Sequence, residues 1–132
     1  METLKLVSAY LFTLVALFIL DILWIDYIAQ KFYKKYLSNI LKDNINWASA
    51  ILFYLVFTFA LFVFVVLPAS SWLIALKMGA LLGFIVYSIY SFSNASFIKD
   101  WNWKIVVFDI LWGTFLGAAV SLVSYYIVEI ML

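Results

Sequence analysis

Four apolar runs, each about twenty residues or longer, take up most of this 132-residue chain. They cover roughly residues 4–28, 47–67, 72–97 and 103–132. A helix rises 1.5 Å per residue, so about 20 apolar residues cross a hydrocarbon core about 30 Å thick. All four runs are long enough. Strands of a membrane barrel would be about 10 residues long with alternating polarity, a pattern these runs lack. Charged residues make up 11% of the chain and hydrophobic ones 69%. Soluble domains carry about a quarter and about half, so the expected solvent is lipid. The expected fold is all-α: a polytopic membrane protein, with residues 1–132 forming a single four-transmembrane-helix bundle. No small-x-small cleavage site follows the first run, where Asp21, Trp24 and Asp26 stand instead, so it reads as a retained anchor.

The polar residues narrow the chemistry. Cysteine and histidine are both absent. Disulfides, thiolate nucleophiles, most zinc sites, histidine-ligated haem and imidazole acid–base catalysis are thereby excluded. No metal or cofactor is expected. A net charge of +1 without arginine offers nothing to nucleic acid. The lysines matter by position. Lys31, Lys34, Lys35, Lys42, Lys99 and Lys104 flank the first and third links, while Lys5 and Lys77 lie on the opposite side. This asymmetry predicts that those links are cytoplasmic and both termini outside. Trp47, Trp72, Trp101 and Trp103 fall at helix ends, as an aromatic belt would. In the first link Phe32, Tyr33, Tyr36, Leu37, Ile40 and Leu41 recur at helical spacing. That predicts a short amphipathic interfacial helix between helices 1 and 2, with Lys31, Lys34, Lys35 and Lys42 available to anionic lipid; a solvated basic loop is the alternative.

One tetrapeptide occurs twice inside the apolar runs: Asp21-Ile22-Leu23-Trp24 and Asp109-Ile110-Leu111-Trp112. An ionised Asp within a membrane helix costs about 2.5–3.5 kcal/mol, and such residues usually face a bundle interior or a wet cavity. Helices 1 and 4 run in opposite directions, so both acids are expected in the same cytoplasmic layer. In each copy Trp follows Asp by three residues, on the same helix face. The alternative is an acid that merely reaches the headgroups beside a belt Trp. All four glycines form two GxxxG motifs, Gly79–Gly83 and Gly113–Gly117. Small residues let membrane helices approach closely, which predicts an antiparallel hairpin of helices 3 and 4; homodimerisation through either stripe is the alternative. Along these stripes the small residues give way to Tyr87, Tyr90, Ser91 and Asn94 on one helix and Asp109 on the other. With Asp21, Trp24, Tyr54 and Trp112 they form the expected intramembrane polar cluster, in which two close acids could share a proton.

These residues resemble the DUF2177 family (domain of unknown function 2177), small bacterial inner-membrane proteins. The resemblance runs through Asp21 and Trp24, Phe32-Tyr33, Phe53-Tyr54, Pro68-Ala69, Gly79-Ala80 with Gly83, Tyr87, Tyr90, Ser93-Asn94, and Asp109, Trp112 and Gly113. It covers nearly the whole chain. The family pattern usually carries Asp where this chain has Ser91. The resemblance implies a four-helix protein of the bacterial inner membrane and supplies no activity.

Three functions are compatible with these features. The first is permeation of a small solute, ion or proton through a homo-oligomer, with Asp21 and Asp109 lining the site; the repeated tetrapeptide suggests the pseudosymmetry of transporters. The second is a non-catalytic membrane partner or assembly subunit. The third is an enzyme acting on a lipid or other lipophile through the two acids.

Overall fold

The computed structural model describes residues 1–38, 41 and 44–132, and the regular elements among them are all helical. Helix α1 spans Glu2–Trp24 and passes through a π-helical turn, Ile25–Ala29, into α2, Gln30–Leu37. Helix α3 spans Trp47–Leu61 and ends in a second π-helical turn, Phe62–Val66; α4 spans Trp72–Phe97 and α5 Trp103–Met131. Four continuous helical stretches are long and apolar enough to cross a membrane: Glu2–Leu37, Trp47–Val66, Trp72–Phe97 and Trp103–Met131.

The amphipathic segment after the first span is helical, as its spacing predicts, but α1 runs into it without a break. No glycine or proline precedes Pro68, so nothing in this stretch forces the helix to stop. At 1.5 Å per residue a 36-residue helix is about 54 Å long, well beyond a hydrocarbon core of about 30 Å. Its last turns therefore project past the core, carrying Lys31, Lys34 and Lys35. Ile40 and Lys42, expected in the same amphipathic element, lie outside the described residues.

The other helix starts are capped by the residues that local chemistry favours. Asn46, Ser71 and Asn102 each accept from the backbone N–H three residues on, at 3.1–3.2 Å, satisfying a donor the helix leaves free. Asp100 has a φ of 70°, a left-handed conformation that Asp tolerates better than most residues. It turns the short α4–α5 link and sets the direction of Trp101.

Helix α5 is the centre of the bundle, burying Ile105, Asp109, Gly113, Leu116, Gly117, Val120, Ser121 and Ser124 along its length. It pairs most extensively with α4 and also packs on α1. The four glycines lie in the α4–α5 seam. A Cβ on Gly83 would collide with the backbone carbonyl of Gly113, and one on Gly117 with that of Gly79. The helices thus touch backbone to backbone, as the motif spacing predicts. Leu17 of α1, Tyr54, Phe57 and Leu61 of α3, Val65 of its π turn, and Leu116 and Val120 of α5 form the main core. Farther from the lysine-rich end, Thr13 donates to the Ala9 carbonyl at 2.8 Å and its oxygen meets Ser124 Oγ at 2.6 Å. Thr13 has only one proton, so Ser124 is the donor of that pair.

Candidate functional site

The two tetrapeptides meet, and they meet crosswise. Asp21 does not pair with its own Trp24. Its Oδ1 accepts from the indole N–H of Trp112 at 3.1 Å, and its Oδ2 from the Tyr54 hydroxyl at 2.8 Å. Trp24 instead stacks on Trp112, with ring centroids 4.1 Å apart and planes within 1° of parallel. The Trp of the second copy thus binds the acid of the first while the two indoles lie face to face. Antiparallel helices bring the motifs to one level, and the three-residue offset keeps each Trp on the face of its Asp.

Asp109 has a different set of donors. Its Oδ2 accepts from Ser91 Oγ at 2.8 Å, and its Oδ1 from the Tyr33 hydroxyl. Ser91 in turn accepts from the indole N–H of Trp101 at 3.0 Å. An indole can only donate and a serine has one proton, so the chain runs Trp101 to Ser91 to Asp109. Ser91 thus supplies a donor to the neighbouring acid.

Both acids are buried, Asp21 at 7% exposure and Asp109 at 2%. An Asp inside the membrane costs about 2.5–3.5 kcal/mol. A hydrogen bond to a charged group contributes about 1.5–3 kcal/mol. Two neutral donors on each acid are therefore enough to offset burial, and no cation is needed to hold the fold. A carboxylate has about four lone-pair sites, and donors among the described residues fill two of them on each acid.

The remaining capacity faces a cavity of about 540 Å³ lined by both Asp21 and Asp109, within the range of about 300–1,000 Å³ typical of small-molecule sites. Trp24, Tyr54, Tyr87, Tyr90 and Trp112 also line it, so seven of the nine residues expected in the polar cluster share one wall. Ser91 reaches the site through Asp109. Asn94 is not among the lining residues; it sits one turn along α4, where its carbonyl accepts from the Ile98 N–H. Tyr87 lies over Gly113, where any Cβ would strike its ring, so the glycine seam also seats a cavity residue. Among the described residues no lysine lines the cavity, and no cluster of three or more acids, Cys or His offers a metal site.

Sequence reasoning placed Tyr33 in the interfacial link and Trp101 in the aromatic belt, and so missed both as site residues. Tyr33 is brought in by the first π turn. Asp21, Ile25, Ala29 and Tyr33 all line the cavity at intervals of four. In a regular α-helix this series would drift by about 120° over twelve residues. The wider turn at Ile25–Ala29 absorbs that drift, and π turns of this kind often occur at functional sites.

Fold and site together define a multi-pass helical membrane protein in which two buried acids line one cavity. The family model described as "Predicted membrane protein (DUF2177)" matches residues 6–126, and the chain belongs to that family. No curated protein and no solved structure matches it.

Proposed function

We propose that the protein mediates permeation of a small solute or ion, binding a cation or a proton at Asp21 and Asp109. One observation carries this reading: the two acids line the same cavity, and no lysine among the described residues shares its wall. A site with spare acceptor capacity and negative charge is complementary to a positively charged or proton-donating solute.

The other half of the bundle is closed. Leu17, Leu61, Leu116 and Val120 are each 0% exposed, so one chain offers a binding chamber without a continuous path. This supports a homo-oligomer that completes the route. The distribution of lysines supports an orientation with the cavity in the cytoplasmic leaflet and both termini outside, and the family resemblance supports the bacterial inner membrane. Lys31, Lys34 and Lys35 at the projecting end of α1–α2 are placed to meet anionic lipid headgroups.

Flux through proteoliposomes tests the proposal. Efflux of butylamine or of protons, followed by a pH-sensitive dye, is expected for the wild type and is lost in Asp21→Asn and Asp109→Asn. Equal flux in wild type and both variants would overturn it.

A further inference from the structure

Among the described residues the cavity wall is incomplete on one side. Its lining residues on α1 and α5 are buried or half-buried, whereas Ser49 and Phe53 on α3 and Tyr90 on α4 are exposed. Helix α3 packs on α1 and meets α4 and α5 chiefly through its π-helical end, Phe62–Val66. At the level of the acids, therefore, the α3 and α4 backbones stand apart, and Phe53 and Phe57 of α3 meet the Tyr87 ring edge-on across the space, with centroids 6.4 and 6.0 Å apart. Ser49 and Phe53 lie in the first two turns after Trp47, and Tyr90 lies two turns before the end of α4. That is the depth of headgroups and upper acyl chains. Between Ser49, Phe53 and Tyr90 this gap opens to the outside of the bundle.

We infer that the cavity is loaded from the membrane through this gap, and that its ligand is a single-chain amphiphile with a protonated amine head. The amine sits against Asp21 and Asp109, and the chain leaves between α3 and α4 past Phe53 and Tyr90. The inference rests on the proposed reading of the cavity as a cation site, and adds the direction of loading and the class of molecule. The acids select the head, since a phosphate would meet two negative groups and no lysine among the described lining residues. The aromatic rim selects the chain, since each buried methylene favours binding. The cavity volume suits one head and the first part of one chain.

Photolabelling in nanodiscs of phosphatidylethanolamine and phosphatidylglycerol tests this, using hexadecylamine with a mid-chain diazirine and the matching hexadecanol probe. Amine adducts are expected on Phe53, Tyr87 and Tyr90, displaced by excess hexadecylamine and reduced about ten-fold in the Asp21→Asn/Asp109→Asn double variant. Ser49→Trp, which fills the rim and leaves both acids in place, is expected to reduce them as well. Adducts confined to the outward faces of α1 and α5, around Leu11 and Leu111, would overturn lateral loading. Equal displaceable labelling by the alcohol would overturn selection of an amine. Protection of the two acids in the wild-type protein from dicyclohexylcarbodiimide separates the levels. If butylamine protects them while the long-chain probe leaves the gap unlabelled, the cation site stands and lateral loading falls. If neither amine protects or labels, both fall.

Discussion

The environments of Asp21 and Asp109 explain how acids persist in helices this apolar. Each is held by two neutral donors from other parts of the chain: Tyr54 and Trp112 for one, Ser91 and Tyr33 for the other. Hydroxyls and indoles satisfy a carboxylate without introducing a second charge that would itself need burial. The glycines are constrained just as locally. Gly83 faces the Gly113 carbonyl, a backbone atom that cannot rotate away. Gly83→Ala is therefore expected to destabilise the fold by about 1–3 kcal/mol through overpacking. Leu81→Ala, two residues away at a position 48% exposed to lipid, should stay within about 0.5 kcal/mol. Steric trapping in bicelles would measure both. Equal effects would mean that the seam is not a backbone contact.

Among the elements, the first π turn matters most to the site. It keeps Asp21, Ile25, Ala29 and Tyr33 on one face, and through α2 it also sets Phe32 against Phe108, with ring centroids 3.9 Å apart. Deleting Tyr27 and Ile28 together should remove the π turn and, by leaving Tyr33 ten residues from Asp21 in a regular helix, rotate α2 by about 80° away from that face. That deletion is expected to lower thermal stability more than Tyr33→Phe, because it removes the aromatic stack as well as the hydroxyl donor. Adding Tyr33→Phe to the deletion should cost nothing further, as a double-mutant cycle on the purified protein would show. Additive losses would mean that Tyr33 reaches Asp109 without the π turn. This element also marks where the sequence could be read and where it could not. Apolar length revealed the four spans, and glycine spacing revealed the α4–α5 seam, because both follow directly from helical geometry. Tyr33 was hidden because a 3.6-residue period carries it away from Asp21; the only signal was the interval-of-four series itself. Trp101 was hidden because its direction depends on the left-handed turn at Asp100, which no periodicity encodes.

For the molecule as a whole, α5 is the shared partner, and the chamber forms where α3 diverges from α4. The repeated tetrapeptide was readable as two acids at one depth. Its crosswise pairing, with Trp112 on Asp21 and Trp24 stacked on Trp112, was not, because it depends on how α1 and α5 are rotated about their axes. Topology can be tested cleanly, since the chain has no native cysteine. With the lysine-rich end cytoplasmic, Ser70→Cys should react with an impermeant maleimide in intact cells and Ser96→Cys only after lysis. The reverse pattern would invert the orientation.

The central claim is that Asp21 and Asp109 form one ligand site rather than two separate solutions to burial. Equilibrium binding of tritiated hexadecylamine to the purified protein in nanodiscs tests it most directly. Saturable binding is predicted for the wild type, weakened by about ten-fold or more in Asp21→Asn and in Asp109→Asn alike. Binding that is unsaturable, or that either substitution leaves unchanged, would contradict it.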